Sequence, residues 1–309
     1  MKNVTKTNVL FTSTVLVYII LVYAVRLIPT KALTINMLLV LPEIFLLIPS
    51  LFYILILKPK TVDDVRISPV SVGTFFKTFL MTFLLMPLIS LINVISSFFV
   101  DNSVDDTLQL IVNKNPLWLN LIIIALLPAV VEEFIFRGLI LNGYKKRNPL
   151  KAIVLSAFLF GLIHMNINQF SYAFVIGFIF ALLAYATGSL LPSIMAHFLI
   201  NGTSVVMSHI FAGKDEVNAA PGEIILPENA MMAITCLVLF AMAVVGIILA
   251  TLLFISICKK NRGTDNVKRI FAKPFRMMYD ENEGKFVDGY LLLGVGICIT
   301  YIIMYEFMM

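Results

Sequence analysis

Residues 130–139 read VVEEFIFRGL. Two adjacent glutamates, Glu132 and Glu133, and one arginine, Arg137, stand in a run that is otherwise apolar, from Leu126 and Leu127 to Leu139. An ionised side chain at the centre of a bilayer costs at least about 2.5–3.5 kcal/mol on insertion scales. If this run lies in a membrane, both carboxyls need a reason to be there.

The rest of the chain places the run in a membrane. The protein has 309 residues, of which 60% are hydrophobic and 13% charged, and its mean hydropathy is +0.97. Soluble domains are nearer ~25% charged. Apolar runs long enough to cross a bilayer recur at about 9–25, 33–57, 78–100, 117–141, 150–165, 170–187, 189–210, 229–258 and 287–307. The expected fold is therefore all-α, a polytopic transmembrane helical bundle of about nine spans. Lys2 and Lys6 precede the first run, but no small-residue cleavage site follows it, so it reads as an uncleaved helix. The fifth and sixth runs are short.

Charge sets the expected orientation. With the N-terminus cytoplasmic and the spans alternating, 19 of the 23 Lys and Arg fall in or beside cytoplasmic segments; Arg26, Lys31, Lys114 and Lys214 do not. This asymmetry is the positive-inside pattern, and it accounts for the basic residues better than nucleic-acid binding does. The opposite loops are acidic, with Asp101, Asp105, Asp106, Asp215, Glu216 and Glu223. The polar segment 259–286 is basic and aromatic, suited to an inner membrane surface or to a solvated loop. Cys236, Cys258 and Cys298 show no CxxC spacing and read as small hydrophobes. The chain divides into N-terminal helices (1–116), a polar-bearing core (117–210) and C-terminal helices with the basic loop (211–309).

Polar residues inside the other spans sharpen the question. His164 closes the fifth, in FLFGLIHMN; His197 is on the seventh, in SIMAHFLIN, with Asn201 four residues on. Intramembrane ionisable groups face a bundle interior or a wet cavity and mark function. Residues four apart share a helix face. Glu133 and Arg137 are such a pair, acid first, and neutralise one another. Glu132 points about 100° away on the wheel and needs a different partner. His197 and Asn201 aim at one place, and Phe160 puts a ring beneath His164. At about 1.5 Å rise per residue, Glu132 lies roughly 13 Å from its cytoplasmic helix end, His164 about 22 Å, His197 about 12 Å and Asn201 about 18 Å. Tilt absorbs that spread, so three helices bring polar groups to one layer.

A buried glutamate beside a histidine can take a proton from water. A His and an Asn on one face can donate to a developing oxyanion. These are the parts of a hydrolase that attacks a carbonyl with water. No covalent nucleophile accompanies them: Ser156 and Ser193 lack a GxSxG context and read as small helix-packing residues.

EEFIFR, FGLIH and HFLIN, in that order, resemble the EExxxR, FxxxH and HxxxN motifs of the CPBP intramembrane proteases. That family takes in type II CAAX prenyl endopeptidases and Abi-like bacterial proteins linked to bacteriocin processing and self-immunity. The resemblance covers about 117–205. It implies Glu132 as the water-activating base with His164 its partner, His197 and Asn201 lining the oxyanion site, and Glu133 and Arg137 bracing the first motif. It implies a membrane-associated peptide or protein as substrate, CAAX-like or bacteriocin- or signal-peptide-like, with no metal, no cofactor and no nucleic acid. The composition, rich in Lys, Ile, Asn and Phe, looks like that of a low-GC bacterium, so the expected location is a bacterial cytoplasmic membrane. Two other readings stand beside this one. Glu132, His164 and His197 could instead ligate zinc, although there is no HExxH. Or the cluster serves a transporter or immunity protein, with Glu43, beside Pro42, and Lys77 joining a relay; Glu43 could equally meet a neighbouring helix, and Lys77 could snorkel to the surface.

Overall fold

A computed structural model describes residues 1–29, 32–100, 111–112, 114–211, 227–261, 263, 267–268 and 284–308. Most of the 259–286 segment and the acidic loop residues named above lie outside these. Among the described residues the fold is all-α, and the chain is a multi-pass membrane protein. Its helices are α1 (Asn3–Arg26), α2 (Ile35–Phe52, continued to Leu57 by a π turn), α3 (Val72–Ser97), α4 (Leu117–Lys145), α5 (Pro149–Ile163), α6 (Ile167–Thr187), α7 (Leu191–Phe211), α8 (Glu228–Lys260) and α9 (Gly289–Met308). Eight are long and apolar enough to cross a membrane. The exception is α5. Its 15 residues rise about 22 Å, short of a hydrocarbon core of ~30 Å.

Local sequence explains where the helices start and stop. Thr34, Ser71, Asn148 and Asn166 each cap a helix by accepting a hydrogen bond from the backbone N–H three residues on, and Pro149 occupies the first turn of α5. Gly188, at φ 65°, ends α6 in the left-handed conformation that glycine tolerates best. The α5–α6 turn is only His164, Met165 and Asn166, with Met165 at φ 50°. Irregular backbone at membrane depth is tolerated where it lines a cavity, and this turn does so.

The bundle is built around α4. Ile135, Phe136, Leu139 and Ile140 are fully enclosed there, packed by α1, α5 and α6, while α7 packs along the preceding stretch of α4. Helix α2 covers the front of α4, α3 closes against α6 and α7, α8 lies along α3, and α1 and α9 pack together beside α5. The outer surface is apolar: Ile20, Leu55, Phe76, Leu237 and Leu292 are each more than half exposed, as lipid-facing residues should be. Several residues assigned to the basic side do gather at one end of the bundle. Lys6 Nζ donates to the Leu57 carbonyl at 2.7 Å, and Lys145 and Lys146 each stand 3.5 Å from Asp64. Lys77 Nζ donates to Ser256 Oγ at 2.6 Å.

Helix α4 is not a uniform α-helix. It widens into π turns at Leu121–Leu126 and Phe134–Leu141. Widened turns leave carbonyls in need of donors, and often sit at functional sites. Here Ser156 Oγ donates to the Phe136 carbonyl at 2.8 Å, and Asn142 Nδ2 donates to Gly138 at 2.8 Å. Ser156 is therefore a structural donor across a helix contact. Ser193 Oγ is likewise occupied, by the Leu190 carbonyl.

Candidate active site

Glu132 and Glu133 close the α-helical part of α4, just before its second π turn. Both are buried, Glu132 at 7% exposure and Glu133 at 0%, and they face different neighbours. Arg137 Nη1 donates to Glu133 Oε1 at 2.6 Å. Arg137 Nη2 donates to the Gly177 carbonyl on α6 at 3.0 Å, and the guanidinium lies 4.3 Å from the centre of the Phe160 ring and 5.3 Å from that of Phe180. The cation is thus held by a carboxylate, a carbonyl and two aromatic faces.

Glu132 turns instead into a cavity of about 390 Å³. His164, His197 and Asn201 line the same cavity, and so does Phe160. The four polar groups come from α4, the end of α5 and α7. His164 can stand there because α5 is short and ends on it. Phe160 meets both imidazoles edge-on, at 5.2 Å from His164 and 5.8 Å from His197, while Phe180 stacks on His197 at 5.2 Å.

The pairing of histidines with glutamates is richer than the spacing indicated. His197 Nδ1 is 3.2 Å from Glu133 Oε1, and its Nε2 is 3.9 Å from Glu132 Oε2. A carboxylate oxygen can only accept, so Nδ1 carries the proton. Glu133 therefore orients a histidine as well as binding Arg137. The histidine nitrogen near Glu132 belongs to His197; His164 fronts the same cavity without hydrogen-bonding to that carboxyl. Asn201 Nδ2 is 3.5 Å from the Ile124 carbonyl, at the outer limit of a hydrogen bond.

Two residues that the motifs do not include join the site. Gly177 lets α6 approach: a Cβ there would lie 2.9 Å from the Phe160 ring and 3.1 Å from Arg137 Nη2. Its only trace in the sequence is a small residue in an apolar helix. Glu43 of α2, a relay group or a helix contact on the sequence alone, lines the same cavity. Lys77 does not line it. Among the described residues, no three His, Cys, Asp or Glu side chains come together closely enough to hold a metal ion.

Residues 114–203 match the family described as Type II CAAX prenyl endopeptidase Rce1-like. The chain is also similar to the protein named "Putative membrane peptidase YdiL" of Bacillus subtilis (strain 168), with 31% identity over 90 residues. That similarity covers 29% of this chain and 37% of the relative, so little more than a third of the relative's length is spanned. No solved structure gives a significant match.

Proposed function

Starting from a central segment that matches the Rce1-like endopeptidases, we propose that this protein is an intramembrane endopeptidase that hydrolyses a peptide bond with water activated by Glu132. The observation that carries this reading is that Glu132, His164, His197 and Asn201, from three helices, line one cavity. Glu132 takes a proton from water as the oxygen attacks the scissile carbonyl. His164, across the same cavity, helps hold that water. Negative charge then develops on the carbonyl oxygen, where His197 Nε2 and Asn201 Nδ2 donate to it. His197 donates through Nδ1 to Glu133, so donating from Nε2 as well requires it to enter the step already protonated, as an imidazolium. Glu133, 3.2 Å from Nδ1, is placed to support that charge, as second partners of catalytic histidines do. Glu133 and Arg137 are positioning residues.

The substrate is a membrane-associated peptide or protein, because the cavity lies among transmembrane helices. The basic end of the bundle faces the cytoplasm, in a bacterial cell membrane. The test is cleavage by purified protein in detergent of a quenched-fluorescence peptide library that includes farnesylated CAAX-type and signal-peptide-type sequences. Glu132→Gln should remove cleavage while the yield of folded protein stays near that of the wild type. Full activity in Glu132→Gln would overturn the assignment. Cleavage of no peptide by the wild type would favour a non-enzymatic role.

A further inference from the structure

Glu43 is buried at 8% exposure on α2, outside the segment that carries the three motifs, and it lines the same cavity as Glu132. Its Oε2 makes no hydrogen bond, and neither does Glu132 Oε2. A structural glutamate inside a bundle would be expected to spend its oxygens on a neighbouring helix. This one presents an oxygen without a partner beside the carboxyl proposed as the base. No lysine or arginine lines the cavity, and the nearby Arg137 is engaged by Glu133 at 2.6 Å. Two carboxyls fronting one cavity, with the His197 imidazolium able to balance only one negative charge, are most stable sharing a proton. The resting site then holds one carboxylate and one carboxylic acid. Peptide hydrolysis needs both, a base for the water and an acid for the departing amine.

We propose that Glu43 is the general acid of the site, delivering the proton that the leaving amine nitrogen requires. This rests on the hydrolase reading above. The water oxygen bonds to the carbonyl carbon and its proton passes to Glu132. The tetrahedral intermediate collapses, the C–N bond breaks, and the Glu43 proton goes to nitrogen. The products are a carboxylic acid and an amine. The proton left on Glu132 then returns to Glu43 across the cavity, which restores the resting state. His197 serves the oxyanion in this scheme and is held through Nδ1 by Glu133, so it is not the proton donor to nitrogen.

The test compares two versions of one cleaved peptide from the library, the natural amide and an activated ester at the same bond. An ester with a good leaving group departs without protonation, whereas an amide does not. Glu43→Gln should lose about 10²–10⁴-fold in amide turnover, the usual contribution of an acid or base catalyst, yet stay within about threefold of wild type on the ester. Glu132→Gln should lose both activities. Equal loss on amide and ester in Glu43→Gln, or no loss on either, would overturn the role of Glu43 and leave the base assignment standing. Retention of both activities in Glu132→Gln, or failure of the wild type on every peptide, would overturn the underlying reading and the role of Glu43 with it. If Glu43→Gln does not fold, the wild type alone decides. The titratable groups that face Glu43 are Glu132, His164, His197 and Tyr172 around the cavity and Tyr18 of α1. Loss of the acid's proton should give amide turnover an alkaline limb that ester turnover lacks. A limb common to both substrates, or absent from both, contradicts the proposal.

Discussion

His197 Nδ1 and Arg137 Nη1 share one acceptor, Glu133 Oε1, at 3.2 and 2.6 Å. One carboxylate therefore ties α7 to α4 and fixes an imidazole and a guanidinium together. Replacing it strands a buried cation and frees a ring. Glu133→Gln should cost about 3–5 kcal/mol, the usual consequence of breaking one side of a buried pair. The yield of monodisperse protein and its thermal midpoint should both fall, in contrast to Glu132→Gln. Matching stability in the two variants would contradict this division of labour.

Asn201 and His197 lie one turn apart and front the same cavity. Removing a single preorganised oxyanion donor typically costs ~10²–10³ in turnover. Asn201→Ala should fall in that range with KM little changed. Steady-state kinetics that show the whole effect in KM would place Asn201 in substrate binding instead.

Gly177 is a close-approach position. A methyl group there meets the Phe160 ring at 2.9 Å and Arg137 Nη2 at 3.1 Å, and both neighbours are themselves buried. Gly177→Ala should therefore destabilise the protein by about 1–3 kcal/mol, as overpacking does. It should also lower activity by shifting Phe160 beneath the two histidines. A thermal melt alongside turnover checks both effects.

Ser156 donates to the Phe136 carbonyl within the π turn of α4. Ser156→Ala leaves that buried carbonyl without its side-chain donor, a loss of about 1–3 kcal/mol, while the chemistry is untouched. The expected result is a lower melting temperature with turnover per folded molecule near wild type. Complete inactivation of a folded Ser156→Ala protein would reopen the serine as a nucleophile.

Dialysis against a strong chelator should leave the wild type active, because the proposed mechanism runs on side-chain proton transfer alone. The zinc reading, with Glu132, His164 and His197 as ligands, requires the opposite: activity lost on chelation, restored by added zinc, and bound metal released by His197→Ala. Turnover and bound zinc measured on the same samples separate the two.

The sequence alone determined the membrane bundle, the sharing of one face by Glu133 and Arg137, and the stop of the fifth helix at His164. All of these follow from helical rise and periodicity, which are local properties of the chain. Only the tertiary structure decided how one helix is rotated against another. That rotation set His197, through its two ring nitrogens, between Glu133 and Glu132. It brought Glu43 from α2 into the cavity and let Gly177 admit Arg137 and Phe160. A single helix's pattern gives its own faces, but the azimuth between helices is fixed by packing among residues far apart in the chain, such as Glu43 and His197, which line one cavity 154 positions apart, and no local periodicity records it.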